Sequence, residues 1–83
     1  MLYRSWPLLH GRKVFARNLR RQRHSKRLSQ EALAHEASVD RTYISALERG
    51  VCGATIDMID KLAKVLEVEP AVLLDRRSET DAQ

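Results

Sequence analysis

Cysteine occurs once in the 83 residues, proline twice, glycine three times, and aromatic side chains make up 5%. Each scarcity excludes something. One thiol, Cys52, cannot close an internal disulfide, and no ligand-spaced group of His10, His24 or His35 surrounds it. Neither a metal nor any other cofactor is therefore expected, and a reducing cytoplasm suits the chain. Three glycines and two prolines are too few for the tight turns of an all-β fold. So few aromatics mean a core of Leu, Ile, Val and Ala. No apolar run approaches the ~18 residues of a membrane helix. Pro7 and His10 interrupt the apolar start, so it lacks the h-region of a signal peptide. No Ser/His/Asp or Cys/His grouping, carboxylate pair or phosphate-cradling glycine loop stands out, so an enzyme is not expected.

What is present is charge, and it is unevenly placed. Residues 1–28 hold nine Lys or Arg and no acid, whereas residues 29–83 hold six basic and eleven acidic residues. That asymmetry suggests a cationic region facing a polyanion. On charge alone, nucleic acid, an acidic membrane surface and an acidic protein all stay open.

The length supports one domain, which at this size buries only roughly 60% of its unfolded surface. The expected division is an N-terminal arm over 1–11, a helical domain over 12–75 and a polar tail over 76–83. Helical spacing predicts a first helix over 12–25 with Val14, Phe15 and Leu19 inward. Ser29 is a good N-cap for a second helix over 30–37, and Asp40 for a third over 41–49 that Gly50 ends. Thr55 caps a fourth over 56–66, whose stripe of Ile56, Ile59, Leu62, Ala63 and Leu66 is the cleanest amphipathic pattern in the chain. Pro70 opens a short fifth helix to Leu74.

The segment 30–49 is helix, short turn, helix. On the third helix Ile44 and Leu47 point into the core. Arg41, Ser45 and Arg49 run along the other side at i, i+4 and i+8, beside Thr42 and Ala46. Tyr43 lies on the line of Leu47 and is divided between packing and a DNA contact. A helix of this width fits the major groove of DNA. There Arg can bond two guanine acceptors, Ser and Thr serve either base pair, and Ala touches a thymine methyl. The start of the second helix adds free N–H groups and Gln30, which suit a phosphate oxygen.

Leu28-Ser-Gln-Glu-Ala-Leu-Ala34, Val39-Asp-Arg-Thr-Tyr-Ile-Ser-Ala-Leu-Glu-Arg-Gly50 and Ile59-Asp-Lys-Leu-Ala-Lys-Val-Leu66, in that order and separation, resemble the Cro/lambda-repressor-like (XRE) helix-turn-helix family over about residues 14–74. The resemblance implies an all-α, compact five-helix lambda-repressor-like domain whose third helix enters the major groove of double-stranded DNA. It places Arg41, Thr42, Ser45 and Ala46 at base edges, and Gln30, Arg49 and the loop through Thr55 at phosphates. It further implies an internal ion pair between Arg23 and Glu48. Ser38 and Arg27 stand where the family often has Gly, so either those sites are mildly strained or the turns differ.

The function expected is a sequence-specific transcriptional regulator binding a palindromic operator as a homodimer, since one module reads half a site. Its size resembles that of restriction–modification controller proteins and small phage or plasmid repressors. The expected dimer surface is Val65, Val68, Val72 and Leu73, with Tyr3, Trp6, Leu8 and Leu9 of the arm adding to it. The alternative is a protein-binding module, such as an antitoxin or an adaptor contacting RNA polymerase. The uncharged readers Thr42, Ser45 and Ala46 argue against contact that is purely electrostatic.

Overall fold

The computed structural model describes residues 8–77 as five α-helices: α1 (Leu8–Ser25), α2 (Gln30–Ala37), α3 (Arg41–Arg49), α4 (Ile56–Leu66) and α5 (Pro70–Leu73). Among the described residues there is no strand. The arm residues Tyr3 and Trp6, and the side chains of Leu8 and Leu9, lie outside what is described.

The caps explain where the helices start. Ser29 Oγ accepts from the Ala32 N–H at 2.9 Å and Thr55 Oγ1 from the Met58 N–H at 3.1 Å, each satisfying one of the N–H groups a helix start leaves over. Asp40 occupies the N-cap of α3 without a side-chain cap bond. The first helix begins at Leu8 rather than at Arg12. Gly11 reads as punctuation, but a glycine inside a helix costs only about 1 kcal/mol, and α1 runs through it.

The helix ends share one device. Arg27, Ser38, Gly50 and Glu67 each take the left-handed conformation, with φ of 60°, 58°, 73° and 61°. After each, the N–H of Leu28, Val39, Val51 or Val68 reaches back to a carbonyl one turn earlier, at 2.9–3.2 Å. These are four Schellman ends, each followed by an aliphatic residue. Gly50 alone adopts this φ without strain. Arg27 and Ser38 thus hold, as non-glycine residues, the geometry glycine favours.

Leu19, Leu33, Ile44, Leu47, Leu62, Leu66 and Leu73 are fully buried, and Phe15 and small alanines fill between them. α1 packs on α3 and α5, and α2 on α3 and α4. Ile56 departs from its expected place in the inner stripe: it is 83% exposed. As the first residue of α4 it lies a turn beyond the edge of the core. Leu73 also departs from expectation. It is not on an outer surface but at 0% exposure within the chain's own core, where α5 closes on α1 and α4.

Candidate nucleic-acid interface

The middle of the fold is the pair α2–α3 joined by Ser38-Val39-Asp40. Ile44 and Leu47 anchor α3 from inside. The opposite side carries Arg41, Thr42 and Arg49, all exposed, with Ser45 and Ala46 half-buried between them. The five residues therefore share the outward side of one helix. Among the described residues no carboxylate pairs with Arg41 or Arg49. Tyr43 packs against the edge of the core. Burial, and after it the neighbouring Cys52, raises its hydroxyl above the ordinary value.

Behind this row lies a buried ion pair. Arg23 Nε donates to Glu48 Oε2 at 2.6 Å and Nη2 to Oε1 at 2.8 Å, a two-pronged contact between α1 and α3. The third prong, Nη1, donates to the Leu28 carbonyl at 2.9 Å, holding the end of α1 as well. Gln30 Nε2 adds a bond to Glu48 Oε1 at 3.1 Å, so α2 joins the same network. Burial alone would push the Glu48 carboxyl up. Hydrogen bonds from Arg23 and Gln30, and the charges of Arg23 and Arg20, outweigh it and hold the carboxyl below its ordinary value. Three helices are thus pinned at one carboxylate, which fixes the angle of α3 relative to α1 and α2.

The phosphate candidates are differently placed. Gln30 spends one amide N–H on Glu48 and keeps a second donor. Thr55 uses its oxygen as an acceptor for the α4 cap, and its hydroxyl proton remains available to an anion. Arg49 projects from the last turn of α3.

Further contacts went unread in the sequence, those of Asn18 and Arg20 among them. Asn18 is buried and its Nδ2 donates to the carbonyls of Leu73 and Asp75, both at 3.0 Å, tying α1 to the end of α5. A signal existed: Asn18 stands within the Val14, Phe15, Leu19 stripe, where a polar side chain needs a buried partner. Arg20 Nη1 donates to the Glu48 carbonyl at 2.9 Å, a cation at the C-terminal end of α3. No spacing rule reaches that pairing. As for the dimer candidates, Val65 and Val68 are half-buried against the core, Val72 is half-buried and Leu73 fully buried. Among the described residues, the exposed large aliphatics are Val51, Ile56 and Leu74.

Comparison with known proteins gives a consistent result. A family model described as helix-turn-helix matches residues 19–73. The control protein C.BamHI of Bacillus amyloliquefaciens is 46% identical over 65 residues, spanning 77% of this chain and 80% of that protein. The crystal structure of the restriction-modification controller protein C.AhdI from Aeromonas hydrophila superposes with a TM-score of 0.72 at 40% identity, over 75% of this chain and 94% of that one. The structure of SinR, described as the master regulator for biofilm formation, in complex with DNA gives 0.71 at 31% identity, over 74% and 98%.

Proposed function

The chain belongs to the Cro/lambda-repressor-like (XRE) helix-turn-helix family, and from that premise we propose that it is a DNA-binding transcriptional regulator that reads a two-fold operator as a homodimer. The observation that carries this reading is the outward row of α3. Arg41, Thr42, Ser45 and Ala46 offer hydrogen-bonding and methyl groups of the kinds that distinguish base pairs in the major groove. The Arg23–Glu48 pair holds that row rigid from behind. Gln30, Arg49 and Thr55 flank it with donors suited to phosphates, which set register rather than sequence.

A single α3 reads one half-site, and a palindrome needs two copies spaced about 34 Å apart. The face proposed to join them is that of Ile56, Ile59 and Leu74. Ile56 is 83% and Leu74 50% exposed, and Ile59 and Leu74 line one apolar hollow with Phe15. Val65 lies nine residues after Ile56, half a turn around α4, so it faces the other flank. A two-fold contact would bury each patch against its own copy.

Selection of bound duplexes from a random pool tests the reading. The expected product is a pair of inverted half-sites about 10 base pairs apart, centre to centre. A pool that stays random after selection contradicts a base-reading role and favours a protein-binding module. For assembly, Leu74→Asp is expected to sediment as a monomer with helix content intact. A wild-type protein that is monomeric in solution and binds the selected duplex as one copy contradicts the dimer.

A further inference from the structure

Three of the cations on α1 gather at one place that the helix-turn-helix does not account for. Lys13, Arg17 and Arg20 lie at i, i+4 and i+7 and face the last turn of α3. There they line a hollow of about 330 Å³ with Ala16, Glu48 and Arg49. Four cations surround it. The one carboxylate in its wall, that of Glu48, is already taken by Arg23 and Gln30. Arg20 is spent in part on the Glu48 carbonyl. Among the described residues, Lys13, Arg17 and Arg49 have no carboxylate partner. Like charges crowded around a concave wall leave a strong positive potential, which an entering anion relieves.

The position of the hollow says which anion. Arg49 is both its rim and the last member of the exposed row that begins at Arg41 and continues through Ser45. The loop after α3 also lies against α1: a Cβ built on Gly50 would stand 3.7 Å from Lys13 Cγ. The hollow therefore continues the outward row of α3 at its C-terminal end. A small acidic solute would have no such reason to be sited there. We infer that the hollow between α1 and α3 is a second backbone clamp, in which Lys13 and Arg17, together with Arg49, hold a DNA phosphate next to the bases that α3 meets. This rests on the DNA-binding reading given above, and extends the contact surface onto α1.

The test uses the full chain, and a duplex that the wild-type protein selects from a random pool. Lys13→Gln and Arg17→Gln, combined, touch no hydrogen bond among the described residues, and circular dichroism checks that helix content is kept. The slope of log affinity against log salt is expected to fall in magnitude by up to about 0.9, the contribution of the one phosphate the clamp neutralises. Binding to selected and to random duplexes is expected to weaken by the same factor. Single neutral methylphosphonates, placed in turn along the selected duplex, locate the clamp. At one or two positions they weaken the wild type and leave the double variant without further loss. Lys13→Arg paired with Arg17→Lys, which keeps both charges, is expected to behave as the wild type. An unchanged salt slope, or a double variant still sensitive at every phosphate that matters to the wild type, overturns the clamp while leaving the α3 reading intact. A wild-type protein that selects no duplex overturns both.

Discussion

The two sides of α3 use charge in opposite ways. On the inner side Glu48 is buried, and its oxygens receive three side-chain hydrogen bonds from Arg23 and Gln30. On the outer side Arg41 and Arg49 are exposed and have no carboxylate partner among the described residues. A buried charge must be fully paired or it destabilises the fold. An exposed one gains little from a partner, so it can remain available for an anion. The helix is thus oriented by the charge that is satisfied and equipped for binding by the charges that are not. Nine residues carry both tasks because helical periodicity separates the two sides.

The comparison breaks most visibly at Glu48. Glu48→Ala leaves the Arg23 guanidinium buried without its partner, and is expected to cost about 3–5 kcal/mol, read as a large fall in melting temperature. The carboxyl also sets a pH dependence. Its folded value lies below the ordinary 4.5, so its contribution is present in full above about that pH. It is lost as pH falls through the lower folded value. Denaturant titrations between pH 6 and 3 are therefore expected to show stability falling on acidification, and less steeply in Glu48→Gln. A pH-independent stability in the wild type would mean that the pair does not form in solution.

A smaller effect is expected at Asn18, which repeats the inner logic between α1 and α5. Asn18→Ala strands the carbonyls of Leu73 and Asp75 and is expected to cost about 1–3 kcal/mol. Hydrogen exchange should show α5 opening sooner than α2 or α3. Protection of α5 unchanged from wild type would show that Leu73 alone holds it.

The smallest effect sharpens the comparison by leaving both sides of α3 untouched. Ser38→Gly and Arg27→Gly relieve a left-handed backbone at exposed positions whose side chains make no hydrogen bond among the described residues. Each is expected to stabilise by about 0.5–1 kcal/mol, the steric gain less the extra entropy of glycine in the unfolded chain. Chemical denaturation measures it, and a loss of stability would contradict the strain account.

Much of this architecture is legible in the sequence, because it is written in local chemistry. Ser29, Thr55 and Gly50 mark helix ends by what their side chains can or cannot do. The rows on α3 follow from a fixed angle per residue. What stays illegible depends on neighbours brought from far along the chain. α5 is a single turn, too short for periodicity to tell Val72, Leu73 and Leu74 apart, and only its docking on α1 and α4 sends Leu73 inward. Ile56 fits the stripe of α4 yet lies past the point where the core ends. Arg20 reaches a carbonyl 28 residues away, which no local rule anticipates. The outer face of α3 was legible as a set of residues, while the pairing of Gln30 with Glu48 and the gathering of α1 cations beside Arg49 emerge only in three dimensions.

The central claim is that the outward side of α3 reads bases, and Arg41→Ala tests it most directly. Its binding is compared with that of the wild type on two duplexes, one selected by the wild type from a random pool and one of random sequence. The account predicts a loss of about 1–3 kcal/mol on the selected duplex, little change on the random one, and relaxed preference at one base pair. Equal weakening on both duplexes would make Arg41 a backbone contact and contradict the claim.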